Sequence, residues 1–370
     1  MANTLLTPSI IANEALMVLE NSMVFGSMIY KDYSKEFVKV GDTITVRKPP
    51  TFKVNEFDGT GISVQDATET GVAVKMDKHL DLSFEITTTD LNLKIKDFSQ
   101  QFLTPAMQAY AQDIDSRIAT LYADIPYVTG TAGTTPSNVS AITGIRKIMN
   151  DNKVPLAGRN LVLDTAADAK LLELDAFNRV DASGTSAALV EAQLGRKFGF
   201  DCYMDQNIVA HSNGDFTATP SLTVSATISA GATTCSFVAT TLTGTIKKGT
   251  VFSVAGDDQT HVVTADVTAA GNAATITFYP AAAGWAASAV VTVVADHAAN
   301  LAFHRNAFAM VSRQLDKPMG NQNASYINYQ GLGLRVVFGY DMQTKKDICS
   351  IDMLCGFKTL MPELAVRLLG

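Results

Sequence analysis

The sequence predicts an α+β protein in which a mixed helix–strand domain is interrupted by a small all-β domain. Helical and strand-like patterns alternate before residue 210 and return after residue 299. With 370 residues and 47% hydrophobic content, the chain is large enough for two or three domains. The whole chain is 18% charged. Between residues 217 and 295, by contrast, the only charged residues are Lys247, Lys248, Asp257, Asp258 and Asp266.

The first element predicted is a helix in TPSIIANEALMVLENSMVFGSMIY, residues 7–30. Leu16, Leu19 and Met23 recur at helical spacing, and Thr7 before Pro8 is a good cap and first-turn pair. The pattern fits an extended amphipathic arm and an ordinary core helix equally well.

Residues 38–86 predict a long two-stranded hairpin with a turn-rich tip. Its strands are KVGDTITVRKPPTFKV and GVAVKMDKHLDLSFEIT, and in the first of them Ile44 and Val46 alternate with polar residues. An isolated hairpin is only marginally stable in water. We therefore expect this one to lie on its own domain or on a neighbouring subunit.

The clearest helical pattern is DFSQQFLTPAMQAYAQDIDSRIATLYADI, residues 97–125, with its apolar side chains on one face. Thr104 and Pro105 predict a cap with a restart, or a kink. The 20 or so residues beyond would extend about 30 Å. The aromatic residues of this face indicate a packed core rather than a cofactor site.

Further along, SAITGIRKIMNDN, RNLVLDT, AALVEAQLG and FGFDCYMD predict helix, strand, helix and strand.

The low-charge region contains six β-rich runs: SLTVSATI, TCSFVAT, TVFSVAG, HVVTADV, ATITFYP and AVVTVVA. Their spacing predicts a small β-sandwich or barrel. Strand and helix patterns resume at Asn300 with LAFHRNAFAMVSRQL, so both flanks belong to one parent domain. Insertion of a domain is tolerated at an exposed loop whose ends lie close together.

Net charge of -7 and a pI near 5.3 argue against strong nucleic-acid binding. The four cysteines form no C-x-x-C pair and predict reduced thiols. The sequence lacks a basic leader and any apolar run of about 20 residues, which predicts a soluble protein made inside the cell, with no membrane partner.

No set of residues predicts catalysis, cofactor binding or metal binding, and we expect neither enzyme activity nor a cofactor. GTIKKG predicts a β-turn with two solvated lysines rather than a phosphate loop. Asp257 with Asp258 indicates a polar turn rather than a metal site. His304 is interpreted as structural, and the GLG at Gly331–Gly333 lacks the third glycine of a dinucleotide site.

The order of these parts resembles major capsid proteins of tailed bacteriophages. The segments that carry the resemblance are DFSQQFLTPAM with AQDIDSRI, VPLAGRNLVLD, FGFDCYMDQNI and the C-terminal run from LRVVFGYDMQ to LAVRLL. The resemblance implies the Hong Kong 97-type capsid fold. KKGTVFSVAG is similar to an element of the domain inserted in the coat proteins of the Salmonella-podovirus branch.

The resemblance further implies a domain order. Residues 1–36 would form the N-terminal arm, 37–90 the extended loop, 91–210 the peripheral domain with the spine helix and the first part of the axial domain, 211–298 the inserted β-domain, barrel or immunoglobulin-like, and 299–370 the remaining axial and peripheral parts. Some relatives crosslink neighbours through a lysine and an asparagine. Lys75 and Lys78 lie in the predicted loop, but no crosslinking pattern surrounds them, and we predict no covalent crosslinks.

The function implied is self-assembly into an icosahedral shell of pentamers and hexamers around double-stranded DNA, with the mature protein in the virion. The implied partners are a scaffolding protein, a portal, a possible decoration protein and weakly held DNA. Assembly would take place in the bacterial cytoplasm, through a procapsid that expands on packaging. The alternative is a surface-layer or adhesin-like structural protein with an immunoglobulin-like module.

Overall fold

The computed structural model describes residues 8–31, 43–47, 71–86, 99–180, 187–313, 315, 323–329, 332–341 and 346–370. The α-helices of these residues are α1 (Pro8–Ser22), α2 (Phe25–Met28), α3 (Thr104–Ala119), α4 (Val139–Asp151), α5 (Thr165–Leu172), α6 (Asp175–Asn178) and α7 (Ala187–Glu191). A π-helical turn, Ser99–Leu103, precedes α3, and 3-10 turns cover Thr120–Asp124, Arg305–Ala307 and Pro362–Leu364.

In order, the strands are β1 (Thr43–Arg47), β2 (Gly71–Lys75), β3 (Lys78–Ile86), β4 (Val128–Thr129), β5 (Arg159–Leu163), β6 (Gly195–Lys197), β7 (Phe200–Met204), β8 (Ala210–His211), β9 (Thr217–Thr219), β10 (Leu222–Val224), β11 (Thr234–Val238), β12 (Thr241–Thr243), β13 (Thr245–Ile246), β14 (Val251–Val254), β15 (His261–Val263), β16 (Val267–Thr268), β17 (Ala273–Tyr279), β18 (Val290–Val293), β19 (His297–His304), β20 (Phe308–Arg313), β21 (Ala324–Tyr329), β22 (Leu332–Asp341), β23 (Lys346–Thr359) and β24 (Ala365–Leu369). The two longest strands, β22 and β23, lie near the end of the chain.

The chain divides into two compact units. The first unit contains the described residues of 1–22, 31–109 and 309–360, and the second those of 23–30, 110–308 and 361–370. In the first unit a five-stranded sheet runs β20-β23-β22-β21, with β3 also paired to β23. Helix α1 packs against β21 and β22 and buries Ile11, Leu16 and Leu19. Its apolar side is therefore covered by the chain's own sheet, while Met17 on the same helix is 53% exposed.

The predicted hairpin is present where β1 and β2 are described, and its second strand has a further partner that was not predicted. Strand β1 pairs antiparallel with β2, from Thr43 opposite Lys75 to Arg47 opposite Gly71. The second predicted strand is interrupted after β2, and its continuation, β3, pairs with β23. That pairing sets Leu82 opposite Ile351. Because β23 lies more than 250 residues away, no local pattern indicates this partner. The predicted tip, residues 48–70, lies outside the described residues.

The long helix is confirmed over the described part of its predicted range. The π-helical turn, α3 and the 3-10 turn follow one another from Ser99 to Asp124. The change from π to α geometry falls at Thr104, next to the proline that predicted a cap or kink. Met107, Ile114 and Ile118 are fully buried, as expected for one apolar face. The Asp97 and Phe98 at its predicted start lie outside the described residues.

In the second unit a seven-stranded mixed sheet runs β4-β24-β19-β5-β7-β6, with β8 also paired to β19. The helix and strand predicted at α4 and β5, and the strand predicted at β7, are present. The helix predicted after residue 186 is the short α7. The core on the helical side of the sheet includes Ile142, Ile145, Met149, Leu161, Leu163, Leu171, Phe177, Phe200, Ala302, Val366 and Leu368. None of the described helices is long and apolar enough to cross a lipid bilayer.

The second unit also contains a closed six-stranded barrel, β10-β11-β17-β15-β14-β18. Each of the six predicted β-rich runs supplies one barrel strand. Strand β17 shows why these strands could be predicted from the sequence. Ala274, Ile276 and Phe278 are buried, whereas Thr275 and Thr277 between them are exposed. On either side of the barrel in sequence, β8 and β19 pair with each other, with His211 opposite His297.

Candidate functional site at the barrel–sheet junction

The barrel contacts the segments of the seven-stranded sheet through the turn at Lys247–Thr250. The sequence predicted two solvated lysines here, and both Lys247 and Lys248 are exposed. Lys248 is exposed, but its Nζ lies 2.7 Å from Asp124 Oδ1, just before β4. Its backbone N–H also donates to Asp266 Oδ1 at 2.6 Å. The turn is therefore part of a contact between the barrel and the segment that leads into the sheet.

Gly249 is the point of closest approach in this turn. Its φ is +92°, a region that favours glycine. A Cβ added there would lie 3.0 Å from Ala123 Cβ and 3.1 Å from Ala123 Cα. The Gly249 N–H donates to Val263 O at 2.8 Å, which holds the turn on β15. Only glycine satisfies both the backbone angle and the space available.

Arg367 connects the sheet to this turn. It lies in β24 between Val366 and Leu368, which face the helices, so strand alternation turns its side chain to the opposite face. Arg367 is 0% exposed, and its Nη1 donates to Gly249 O at 2.8 Å. Its guanidinium carbon lies 5.0 Å from the centre of the Tyr122 ring. Burial lowers the pKa of Arg367 to about 9, against the opposing influence of Tyr122 and Asp124.

Two histidines complete the polar interior of the junction. Tyr122 Oη lies 2.9 Å from His211 Nδ1, and His211 Nε2 lies 3.1 Å from Asn213 Oδ1. Because Asn213 Oδ1 can only accept, the His211 proton sits on Nε2 and Nδ1 accepts from the tyrosine. Burial, and next the charge of Arg367, lower the pKa of His211 to about 4. His297, whose ring centre lies 5.3 Å from that of His211, donates from Nδ1 to Ala295 O at 2.8 Å.

These residues form one buried group, which we call the junction cluster: Tyr122, His211, Asn213, Gly249, Thr250, His297 and Arg367. Two further bonds flank it. Thr260 Oγ1 donates to Pro126 O at 2.7 Å, and Tyr279 Oη donates to Glu363 Oε1. The barrel is therefore joined by polar contacts to two segments of its unit, residues 124–126 and residues 363–367, which together fix its orientation.

In the turn Asp257–Asp258, Asp258 is exposed and Asp257 is hydrogen-bonded to residues of the barrel. Asp257 accepts from Trp285 Nε1 at 2.8 Å and from Gln259 N at 3.0 Å, and its Oδ2 lies 3.2 Å from His261 Nε2. Burial raises the pKa of Asp257, but these hydrogen bonds together lower it below its ordinary value. Among the described residues, no group of three or more histidine, cysteine or acidic side chains could hold a metal ion.

The other residues considered from sequence lie apart from the junction. His304 Nδ1 accepts from Asn306 N at 3.3 Å and so caps the turn Arg305–Ala307. Gly333 lies within β22, where its N–H donates to Ser312 Oγ at 2.8 Å, and Gly331 is outside the described residues. Lys75 ends β2 and Lys78 begins β3. Cys235, Cys349 and Cys355 are buried, and Cys202 is partly buried.

The junction cluster fixes the position of the barrel on the sheet rather than binding a substrate. Its histidine rings are buried and bonded to fixed protein partners, and its arginine is enclosed. Sequence reasoning missed Arg367 altogether. The one available signal was a lone arginine within the apolar strand run LAVRLL, where a charged side chain must find a partner.

No family model matches the chain, and no curated protein matches it. The solved structures that are similar to the chain include the following two. One, of Mycobacterium phage Che8, is 16% identical, with a TM-score of 0.52 over 94% of this chain and 90% of that one. The other, a capsid structure of the cyanophage P-SCSP1u, is 11% identical, with a TM-score of 0.50 over 94% and 88%. The chain therefore has a fold found in phage capsids.

Proposed function

We propose that this chain is the major capsid protein of a tailed phage, a structural protein without catalytic activity. The observation that carries the proposal is the agreement of fold over 94% of the chain with the Che8 structure and with a cyanophage capsid. At 94% coverage of the chain, the agreement is not limited to one common motif. The lack of a converging catalytic set among the described residues is compatible with this role.

Within this proposal, the segments have the roles predicted from sequence. Residues 1–36 serve as the arm, 37–90 as the extended loop, 91–210 as the peripheral domain with the spine helix and part of the axial domain, 211–298 as the inserted domain, and 299–370 as the remainder. Two observations support an insertion at 211–298. The closed barrel lies within that range, and the strands that flank it pair with each other at His211 and His297.

Assembly into pentamers and hexamers requires surfaces that repeat around each ring. Five of the large apolar side chains that are exposed lie on or near α7 and at the end of β7: Val180, Leu189, Val190, Tyr203 and Met204. Val190 is 77% exposed, and exposed apolar patches commonly mark sites of protein–protein contact. We propose that this surface contacts neighbouring subunits in the shell.

The finer parts of the mechanism also remain proposals. A scaffolding protein would guide a procapsid that expands when DNA enters, and a portal and a decoration protein would join the virion. The formal charge of -7 suits a lining that contacts packaged DNA weakly, because each neutralised phosphate would add affinity. Assembly would take place in the cytoplasm of the bacterial host.

Negative-stain microscopy and sedimentation of the purified chain, alone and with its scaffolding partner, test the proposal. We expect closed shells or capsomer rings. Val190→Asp should reduce the assembled fraction at least tenfold, because each ring would bury several new carboxylates. Val290→Asp is the matched control, since Val290 is 46% exposed on the barrel. A chain that stays monomeric with its scaffold present contradicts the proposal, and flat sheets would favour the surface-layer alternative.

A further inference from the structure

Four buried polar atoms of the junction cluster have no hydrogen-bond partner among the described residues. They are Nε and Nη2 of Arg367, Oγ1 of Thr250 and Nε2 of His297. The three residues are 0%, 1% and 4% exposed, respectively. Each buried group left without a partner costs about 1–3 kcal/mol. Four of them would cancel much of a stability of about 5–15 kcal/mol, so these atoms require a ligand.

The guanidinium of Arg367 presents a complete binding edge. Nη1 is used by Gly249 O, and the Nε and Nη2 donors lie together on the other side of the planar group. Through this edge an arginine can form bidentate hydrogen bonds with an acceptor. Asp124, the carboxylate that acts on the charge of Arg367, bonds to Lys248 instead. The edge therefore needs an acceptor that comes from outside the described chain.

His297 decides which kind of ligand fits. Its Nδ1–H donates to Ala295 O, so in the neutral ring Nε2 carries a lone pair and can only accept. Burial lowers the pKa of His297, which favours that neutral ring. A halide ion can accept from Arg367 but cannot donate to His297, and a cation is repelled by the guanidinium. Water accepts and donates, and the Thr250 hydroxyl can bond to it in either sense.

We propose that ordered water occupies the junction cluster, accepting from the Nε–Nη2 edge of Arg367 and bridging to His297 Nε2 and Thr250 Oγ1. Buried water typically makes about three hydrogen bonds and is costly to remove. In this arrangement the water is a structural component of the joint between barrel and sheet. The inference is independent of the proposed capsid role, because it rests only on contacts within the second unit.

Crystal structures of the full chain, grown in chloride and in bromide at equal ionic strength, test the identity of the ligand. We expect a density peak about 2.7–3.2 Å from Nε or Nη2 of Arg367 in both crystals, without bromide anomalous signal. A well-ordered junction without such a peak overturns the proposal. An anomalous peak at the same place also overturns it, because the ligand would then be an anion.

A pair of threonine variants tests the bridge in solution. Thr250→Val is nearly isosteric and removes only the hydroxyl. If water bonds to Oγ1, the variant should lower Tm by about 2–4 °C. Thr275→Val is the control, since Thr275 is exposed on barrel strand β17 and its replacement should leave Tm nearly unchanged. An unchanged or raised Tm in Thr250→Val overturns the bridge, because removal of an unpartnered buried hydroxyl relieves a cost.

Discussion

The barrel interior and the junction cluster are both buried, but they are held together by opposite kinds of interaction. The barrel core is apolar and aromatic, with ring centres of Phe252 and Phe237 5.1 Å apart and of Phe278 and Trp285 4.9 Å apart. The junction is polar, with one fully buried arginine, two buried histidines and directed hydrogen bonds. Apolar burial is large and non-directional, whereas hydrogen bonds add little net energy but require a defined geometry. We infer that the core makes the barrel fold and that the junction sets how it is attached.

The largest loss of stability is expected from a substitution at Phe252. This side chain is fully buried and contacts Phe237, His261, Phe278 and Trp285. Phe252→Ala should lower the free energy of unfolding by about 3–5 kcal/mol. Trp285 is the only tryptophan of the chain, so its fluorescence in a urea titration reports on the barrel.

Val290→Ala is the control for this experiment, because Val290 lies on barrel strand β18 and is 46% exposed. It should shift the same transition by less than about 1 kcal/mol. If Phe252→Ala shifts the transition as little as the control, the aromatic core is not what stabilises the barrel.

Two carboxyl groups, Asp115 outside the barrel and Asp257 within it, should affect the pH dependence of stability in opposite directions. Asp115, outside the barrel, accepts N–H bonds from Val24 and Gly26 at 2.8 and 3.0 Å. Burial nevertheless raises its pKa to about 6. The folded chain therefore binds a proton that the unfolded chain has released. The stability due to this group is complete below its unfolded pKa and is lost as pH rises to about 6, by up to about 3 kcal/mol.

Asp257, inside the barrel, has a lowered pKa, so its contribution has the opposite sign. It is present above the unfolded pKa and is lost as pH falls through the folded pKa. Urea unfolding between pH 4 and 7 in wild type and in Asp115→Asn measures the first effect. The exposed neighbour Asp113, in Asp113→Asn, is the control. An unchanged pH slope in Asp115→Asn would show that Asp115 does not titrate in this range.

The next pair of variants tests the close contact between Gly249 and Ala123 at the junction. Gly249 and Gly256 have nearly the same backbone angle, with φ of +92° and +91°. A Cβ on Gly249 would crowd Ala123, whereas no atom lies within 4 Å of one on Gly256. Both alanine variants carry the backbone strain of about 1 kcal/mol, but only Gly249→Ala adds the contact, for a total of about 2 kcal/mol. Equal losses in thermal or urea unfolding would mean that the turn is not tightly seated.

The same contrast explains what could be predicted from the sequence. The barrel strands could be predicted because Ile276 and Phe278 alternate with Thr275 and Thr277, a local pattern with period two. Helix α3 was readable for the same reason, with a period of 3.6. The partner of β3 was not, because Leu82 meets Ile351 only through a pairing of distant segments.

The junction cluster could not be predicted from the sequence, for a related reason. Tyr122, His211 and Arg367 lie in three distant segments, and only Arg367, a charged residue in an apolar strand run, stands out from its neighbours in sequence. Polar networks are specified by three-dimensional placement, and their residues carry no periodic signal. Lys248 illustrates the consequence: in sequence it indicates a solvated turn, whereas in the fold it lies 2.7 Å from Asp124, 124 residues before it.

The smallest expected effect concerns this ion pair at the rim of the junction. The side chains of Lys248 and Asp124 are 44% and 22% exposed, so water and salt screen their attraction. Lys248→Met should cost less than about 1 kcal/mol, and the loss should shrink further in 1 M salt. Lys170→Met removes a comparable pair with Glu173 on the surface of α5, remote from the barrel. If salt leaves the loss in Lys248→Met unchanged, its contribution comes from packing of the lysine stem against the junction rather than from charge.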